Sequence, residues 1–557
     1  MSKFRLYLFT CVLVLCITCF SNCAKRGFIS GGPMDTLPPV VLKSYPENYS
    51  INFDKNEIKI EFDEFIKLKN ANQNLIVSPP LKNNPDISPM GSPKKVMTIK
   101  LNDTLHPNTT YSFNFGDAIT DNNEGNVLPQ FKYIFSTGSY IDSLKFEGTI
   151  QSAHQLKTDN FVNVMLYDAA SFKDSTVYKQ KPLYITNTLD SLTTFSIENI
   201  KAGTYYVVAL KQKSNNYMFN PDADKIAFIQ DTIVIPTAKK YNLVLFKSEE
   251  KFGAKRPAQI SENKWYLPYK GNKAGVSIKV SKNDSLIQSV YTPLEGKDSL
   301  QVWFPKVVAD SLHIAVSKED YLETFTVRPR VKMKEVDTLN ITAKNNNIDF
   351  KENFTLKTTT PIASINKSLI QIINKDSLPV SFEVQEIQTE QKIALLFEKN
   401  QEELYRIQLL PQALTDFFGY TNDTLSYALK TTKHTDYGNL NLKLAAVKRY
   451  PIIVELIDEQ EKVYETQIIK EPQVVNFDLL PPRKYYVRII YDDNQNGQWD
   501  TGYYWDRRQP EETYYSDEPI DVRANWDINQ DLDLSVLPKK KESTNPQNAK
   551  PAKTTRR

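Results

Sequence analysis

The sequence predicts an all-β protein, organised as a string of antiparallel β-sandwich domains, on three observations. Apolar and polar residues alternate with a period of two in most segments, for example in 57–62, 110–115, 273–280 and 484–490, as in strands with one buried face. Clusters of Asn, Asp, Pro and Gly separate these segments, as turns do. No sustained helical periodicity occurs, and 557 residues suffice for about three to five domains of ~100–200 residues each.

The composition fits aromatic-rich β-structure and narrows the possible functions. Tyr and Phe number 30 and 28, whereas the 17 Gly residues are about 3% of the chain against a usual ~7%, which disfavours glycine-rich phosphate loops. The net charge is +3, but the N-terminal segment and the C-terminal tail are both basic, so the body between them is mildly acidic. The body has no basic stripe, and no nucleic-acid partner is expected.

The first 22 residues are predicted to be a signal peptide. Lys3 and Arg5 precede an apolar run at 6–20, which is shorter than the ~20 residues that a membrane-spanning helix needs. The chain's four cysteines all lie at or before position 23: Cys11, Cys16, Cys19 and Cys23.

Residues 20–23, Phe-Ser-Asn-Cys, resemble the lipobox of bacterial lipoproteins. The resemblance implies lipidation of Cys23, membrane lipid as a partner, and residues 23–36 as a lipid-anchored tether. Cys19 is a competing acceptor, and ordinary secretion with a free Cys23 thiol is the alternative. Lys25 and Arg26 stand where surface-exported lipoproteins of Bacteroidota often carry acidic residues, which favours the periplasmic face of the outer membrane over the cell surface.

A first internal repeat relates two predicted Ig-like domains. Tyr111, Thr120-Asp121, Asn126 and Thr137 recur as Tyr405, Thr415-Asp416, Asn422 and Thr431, and the Asp and Asn side chains suit hydrogen bonds to the loop backbone. Together with its Pro-rich start, residues 37–138 resemble the bacterial Ig-like domain that opens many Bacteroidota lipoproteins. Residues 346–433 match only its closing half and are predicted to be a second Ig-like domain.

A second repeat aligns 195–207 with 475–487 at an offset of 280 without a gap. Its apolar strand, tight turn and Tyr-Tyr-Val strand are similar to the transthyretin-like or carboxypeptidase-regulatory-like sandwich, which predicts such domains at 142–247 and 437–537. Residues 252–343 form a β-domain of unknown type. The tail, 538–557, lacks apolar residues and is predicted to be disordered.

The sequence offers little for catalysis, and a non-catalytic protein is expected. Its four histidines, His106, His154, His313 and His434, fall in separate predicted domains. It contains no HExxH, GxSxG or phosphate-loop motif and no cysteine nucleophile in the body.

A calcium loop is the best metal candidate, although no cofactor is certain. Asp492, Asn494, Asn496 and Asp500, with Gly497 at the turn, follow the first nine positions of an EF-hand loop. Tyr503 occupies position 12, where the bidentate Glu is needed, so a polar hairpin without metal is the alternative.

Aromatic residues concentrate just after that loop and form a candidate binding surface for a sugar or a protein. The candidates are Trp499, Tyr503, Tyr504 and Trp505, and three of the chain's five tryptophans lie in 499–526. Some of these rings are expected to face the core instead.

The triplet Asp-Ser/Thr-apolar is over-represented and looks like the O-glycosylation sequon of exported Bacteroidota proteins. An alternative is that Asp closes a turn before a strand. The candidate hydroxyls are Thr36, Thr104, Ser143, Ser175, Ser191, Thr232, Ser285, Ser299, Ser311, Thr338, Ser377 and Thr424.

Taken together, these features predict an outer-membrane lipoprotein that binds or holds an outer-membrane or periplasmic protein partner. The alternative is a carbohydrate-binding envelope lipoprotein that uses the aromatic cluster at 499–526.

Overall fold

The computed structural model describes residues 34–188, 193–330, 336–343, 346–387 and 391–535. Strands make up 48% of the described structure and helices 3%, so the predicted all-β class is confirmed. The predicted signal peptide, Cys23 and the whole predicted tail, 538–557, lie outside the described residues. No helix within those ranges is long and apolar enough to cross a membrane. The chain divides into two compact units, one of 34–77 with 81–141 and one of 78–80 with 142 onward.

The helical segments are short. Within the described ranges they are the α-helices α1 (Ala71–Asn74) and α2 (Thr176–Lys179) and the 3-10 turns Lys367–Leu369 and His434–Asp436.

The first unit is a two-sheet sandwich. One sheet has the order β1-β2-β5-β4 with β7 beside β2, and the other has the order β3-β6-β8. Ile58, Ile60 and Phe62 alternate inward along β2, which follows from the period-two pattern of this segment. The strands are β1 (Val41–Tyr45), β2 (Glu57–Leu68), β3 (Ile76–Ser78), β4 (Asp86–Ser88), β5 (Lys94–Lys100), β6 (Thr110–Asn114), β7 (Ile119–Asp121) and β8 (Lys132–Ser136).

The second unit begins with a sandwich over 142–247, called the first sandwich below. Its sheets are ordered β11-β10-β13-β14, with β15 beside β13, and β12-β9-β16. The strands are β9 (Leu144–Ser152), β10 (Asn163–Asp168), β11 (Tyr184–Asn187), β12 (Thr194–Ile200), β13 (Gly203–Lys211), β14 (Lys225–Phe228), β15 (Ile233–Ile235) and β16 (Tyr241–Leu245).

A β-domain over 252–343 follows, with its core around Trp265, Leu300 and Ile314. Its sheets are ordered β17-β19-β23-β22, with β18 beside β19, and β21-β20-β24-β25. The strands are β17 (Gly253–Ala254), β18 (Ala258–Gln259), β19 (Lys264–Lys270), β20 (Ser277–Lys282), β21 (Ser285–Ile287), β22 (Val290–Pro293), β23 (Ser299–Trp303), β24 (Leu312–Lys318) and β25 (Tyr321–Val327).

The next domain, over 346–433, repeats the polar contacts of the first unit. Asp121 and Asp416 are both buried, and each accepts backbone N–H groups of the following loop. Thr137 Oγ1 donates to the carbonyl of His106, and Thr431 Oγ1 donates to that of Asn400. The two Asp residues thus make the loop hydrogen bonds that the sequence predicted for them. Asn422 also accepts the N–H of Leu414 (2.7 Å), whereas the amide of Asn126 donates to the carbonyl of Asp35, outside its loop.

This domain has sheets ordered β26-β28-β32-β31, β27-β35-β33-β30 and β29-β34. The strands are β26 (Ile341–Ala343), β27 (Asn346–Asn347), β28 (Phe354–Thr358), β29 (Ile362–Ile365), β30 (Ile370–Ile373), β31 (Glu383–Ile387), β32 (Lys392–Leu396), β33 (Leu404–Leu409), β34 (Leu414–Asp416) and β35 (Leu425–Lys430).

The last sandwich, described to residue 535, has the topology of the first. Its sheets are ordered β38-β37-β40-β41, with β42 beside β40, and β39-β36-β43. The strands are β36 (Gly438–Ala445), β37 (Ile452–Ile457), β38 (Val463–Ile469), β39 (Val474–Leu480), β40 (Arg483–Tyr491), β41 (Thr513–Tyr515), β42 (Ile520–Val522) and β43 (Asp527–Asp533).

The offset of 280 holds in three dimensions. Strands β12 and β13 correspond to β39 and β40 at both ends. Tyr205 donates its hydroxyl to the carbonyl of Lys201 (3.0 Å), and Tyr485 does the same to Pro481 (2.9 Å).

The sheets are not purely antiparallel, which differs from the sequence-based expectation. β16 pairs with β9 in parallel, and β43 pairs with β36 in parallel. In both sandwiches the closing strand returns to the edge of the opening strand after crossing the other sheet, so the two strands run in the same direction.

Candidate functional site

The predicted calcium loop and the aromatic candidates belong to one long connection between β40 and β41, called the docking loop below (residues 492–512). Its first part, 492–500, is polar and closes on itself. Its second part, 501–512, reaches the first sandwich.

The polar part is held by the residues that were predicted to bind calcium. Asp492 is 2% exposed, and its two carboxylate oxygens accept the backbone N–H groups of Asn496 (3.1 Å) and Gly497 (2.9 Å). The side-chain amides of Asn494 and Asn496 both donate to Oδ2 of Asp500, each at 2.6 Å. Gly497 has φ +75°, a conformation that favours glycine.

Glu511 completes this part of the loop and was missed by the sequence analysis. Its carboxylate accepts the backbone N–H groups of Asp493 (2.8 Å) and Asp500 (3.0 Å). Burial raises the pKa of Glu511, and the charges of Asp500 and Asp492 act in the same direction, against the two backbone hydrogen bonds. The only sequence signal was an acidic residue just before β41, eleven positions after Asp500 and so outside the EF-hand spacing.

The calcium site stays a prediction. Across the described ranges, no three or more His, Cys, Asp or Glu side chains are grouped so as to hold a metal ion. The predicted site combines two Asp with two Asn residues, and its oxygen and nitrogen atoms are joined by the hydrogen bonds given above.

The aromatic part of the docking loop packs on the first sandwich. Tyr504 is 1% exposed, and its ring lies 5.4–5.9 Å from the rings of Tyr178, Phe219 and Phe228. Trp505 is 50% exposed and touches Tyr178 edge-on. Of the predicted binding candidates, Tyr504 therefore serves an internal contact, whereas half of the Trp505 surface is open to solvent.

Polar contacts surround the buried tyrosine. The backbone N–H of Tyr504 donates to Oγ of Ser248 (3.1 Å), and the N–H of Glu249 donates to the carbonyl of Gly502 (2.8 Å). Arg507 forms an ion pair with Asp174 (2.6 Å), and Arg508 pairs with Glu249. Tyr503, half-buried, exchanges two backbone hydrogen bonds with Arg508, which closes the tip of the loop.

A second contact joins the same two sandwiches. The ring of Trp499 stacks on that of His154 with centroids 4.2 Å apart and planes at 15°. The N–H of Leu156 donates to Oε1 of Glu461 (2.9 Å). Arg488 is buried beside this contact and pairs through Nε with Glu455 (2.6 Å).

The docking loop closes a circuit of contacts in the second unit. Gln301 donates to Gln391 (2.8 Å), joining the 252–343 domain to the 346–433 domain. Tyr437, at the start of the last sandwich, donates its hydroxyl to Asp349 of the 346–433 domain (2.7 Å). The docking loop then returns the chain to the first sandwich, where its partners include Phe228, Tyr178 and His154.

Most of the predicted glycosylation residues that the structure describes are exposed, and the others are half-buried. Ser191 is outside the described residues. Several lie directly before or at the start of a strand, as Ser143 does before β9 and Ser299 at the start of β23, which fits the turn interpretation. Glycosylation itself stays a prediction. The exposed positions are Thr36, Thr104, Ser143, Thr232, Ser285, Thr338, Ser377 and Thr424, and the half-buried ones are Ser175, Ser299 and Ser311.

Comparison with known proteins identifies one domain. Residues 35–137 match the model of the bacterial Ig-like domain. This range coincides closely with the domain predicted at 37–138, so the Ig-like assignment of the first unit is confirmed. The match spans less than a fifth of the chain and leaves the second unit without a family. No curated protein matches the sequence.

Solved structures give only distant likenesses. The S-layer protein rSbsC(31-844) is 12% identical, with 83% of this chain and 65% of that chain covered at a TM-score of 0.14. The SGBP-B protein of a Bacteroides ovatus mixed-linkage glucan utilization locus, solved with a heptasaccharide, is 10% identical. The match covers 68% of this chain and 91% of that chain at a TM-score of 0.17. The BSP domain of a biofilm-associated protein is 8% identical, with 72% of this chain and 99% of that chain covered at a TM-score of 0.13. TM-scores this low carry no argument about the arrangement of domains.

Proposed function

We propose that this protein is a non-catalytic lipoprotein of a Bacteroidota outer membrane, anchored through acylated Cys23, whose β-domains hold an outer-membrane or periplasmic protein. The observation that carries the proposal is the contact between the docking loop and the first sandwich. Buried aromatic rings and ion pairs are used there to fix the positions of domains far apart in sequence, as suits a scaffold. The Ig-like domain supports the same role, because such sandwiches present surfaces and loops for binding.

Affinity purification of the full chain from detergent-solubilised membranes tests the partner. We expect one envelope protein to copurify in a fixed ratio with the wild type and to be lost when Tyr504→Ala disrupts the domain arrangement. The half-exposed neighbour provides the matched control, so Trp505→Ala should retain the partner. Recovery of the chain alone from membranes that contain it would contradict the scaffold role.

The anchor has its own test, in which the competing cysteine serves as control. Cys23→Ala should abolish fatty-acid labelling and release the protein from the membrane fraction, whereas Cys19→Ala should leave both unchanged. The reverse result would place the lipid on Cys19. Recovery of the wild-type protein from the cytosol without fatty-acid label would overturn the envelope assignment.

A carbohydrate-binding role is the second candidate, favoured by the solvent-facing rings of Trp505 and Trp526. Trp526 is 55% exposed and lies 5.2 Å from the guanidinium of Arg523. Exposed indole faces stack well on sugar rings. A glycan array should then show binding that Trp505→Ala or Trp526→Ala removes, and an array without signal would retire this candidate.

A further inference from the structure

His154 is a half-buried titratable group that neither candidate function uses. It follows β9 in the first sandwich and lies at the contact with the last one, stacked on Trp499. Its Nδ1 atom is buried without a hydrogen-bond partner among the described residues. A neutral imidazole tolerates this site, because one ring nitrogen carries no proton.

The charge of Arg488 disfavours a second positive charge on the ring. Arg488, on β40, is buried nearby, pairs with Glu455 of β37, and lies 4.0 Å from Glu461. Glu461 accepts the N–H of Leu156.

Two further carboxylates, on the elements that form the contact, are likewise engaged. On the docking loop, Glu511 accepts two backbone N–H groups. On the first sandwich, Asp159 is paired with Lys225 (2.7 Å). These carboxylates thus already have partners.

We propose that His154 makes the contact between the two sandwiches acid-sensitive: the neutral ring lets Trp499 and the docking loop close on the first sandwich, and protonation releases them. A protonated ring in the closed state would bury a charge beside Arg488 with an N–H that has no acceptor. The indole face attracts an imidazolium, which offsets only part of that cost because the ring must also lose its hydration.

The direction of the pH effect follows from the two states. Burial first, and the charge of Arg488 second, lower the pKa of His154 to about 4 from 6.5, and an opened contact returns it to the solvated value. The closed contact is therefore fully stable above about pH 6.5 and weakens as the pH falls towards 4. The whole shift corresponds to a roughly 300-fold loss in the closing equilibrium.

Hydrogen exchange on the full chain measures the contact directly. The backbone N–H groups of Leu156 and Glu249 are reporters, because each donates across the contact. Comparing variants at the same pH removes the intrinsic pH dependence of exchange. In the wild type, we expect both amides to lose protection between pH 6.5 and 4.5 and to regain it on return to pH 7.5, with unchanged far-ultraviolet circular dichroism.

The decisive variant is His154→Phe, which keeps a flat ring against Trp499 and removes the titration. It should hold the contact closed through the same window, and His154→Gln provides a smaller neutral side chain if phenylalanine does not fit. If both variants open at the wild-type midpoint, Glu511 or another carboxylate controls the response and the proposal fails. It also fails if the wild type stays closed to pH 4.

Discussion

At the scale of single residues, Tyr504 contributes most to the contact between the sandwiches. Its ring is surrounded by three aromatic rings of the first sandwich, whereas neighbouring Trp505 keeps half of its surface in solvent. A fully buried large side chain stabilises a structure more than a half-exposed one, because more apolar surface is removed from water. Alternation along the loop, and not the presence of aromatic residues, determines which ring serves the interior.

Replacing Tyr504 with Ala should therefore open the contact. Removing a buried aromatic ring costs about 3–5 kcal/mol, which corresponds to at least a roughly hundredfold faster exchange of the Glu249 amide if that amide exchanges through opening. Trp505→Ala is the matched control and should change this rate less than tenfold. Equal effects of the two substitutions would show that the buried ring does not hold the loop.

Gly502 is the second single residue on which the docking loop depends. A Cβ atom at this position would lie 2.6 Å from the ring of Phe246 and 2.7 Å from the carbonyl oxygen of Arg508. Gly502→Ala should weaken docking by about 1–3 kcal/mol, since overpacking forces the neighbours apart. Gly253→Ala is the control, because its Cβ would meet only the flexible chain of Lys270, at 3.4 Å, and unchanged exchange of Glu249 in Gly502→Ala would contradict the argument.

Glu511 shows why the site was predicted only in part. The residues from Asp492 to Asp500 are close in sequence, and their spacing alone predicts a tight polar loop. Glu511 reaches the same loop only because the docking loop folds back before β41, and its position therefore depends on the contact with the first sandwich. Local spacing carries no information about such a return.

At the scale of strands, the sequence predicted more. Period-two alternation marked the strands because one face of each sheet is buried, and the repeat at an offset of 280 marked β12–β13 and β39–β40 as equivalent. The parallel pairings of β16 with β9 and of β43 with β36 were not predicted. Alternation is the same in parallel and antiparallel neighbours when one face is exposed, so strand direction is set by the path of the chain.

The equivalent tyrosines of the repeat allow a test in both sandwiches. Tyr485→Phe and Tyr205→Phe each remove one hydroxyl that donates to a backbone carbonyl. Each loss should cost about 1 kcal/mol and lower the calorimetric melting temperature of its sandwich, which has about 100 residues, by about 4–8 °C. Tyr486→Phe is the control, since Tyr486 is half-buried on the same strand. If Tyr486→Phe lowered the melting temperature as much as Tyr485→Phe does, the repeated hydrogen bond would contribute nothing.

At the scale of the second unit, closure depends on contacts that no sequence pattern announces. The repeat predicts two sandwiches of one topology, but it is silent on whether they touch. The first sandwich accepts the loop through Phe219 and Phe228, whereas the last sandwich supplies the loop, in the connection between its strands β40 and β41. The contact between the sandwiches therefore depends on residues in which the two repeats differ. The sequence analysis found the repeats by the residues that they share, so it could not predict this contact.

The same closure predicts how the unit responds to salt. Arg507–Asp174 and Arg508–Glu249 lie at the rim, with side chains about a fifth to a half exposed, and such pairs contribute ~0–1 kcal/mol each. Because the buried rings carry the contact, we expect NaCl at about 1 M, where the screening length is ~3 Å, to change the exchange of the Glu249 and Leu156 amides less than tenfold.

A double-mutant cycle of Arg507→Ala and Asp174→Ala separates the two contributions. It should give a coupling below about 1 kcal/mol, well under the cost of Tyr504→Ala. A larger coupling, or opening in high salt, would mean that charge holds the docking loop and that the second unit is closed only at low ionic strength. Burial of Tyr504 argues for the opposite, since apolar contacts are not screened by salt.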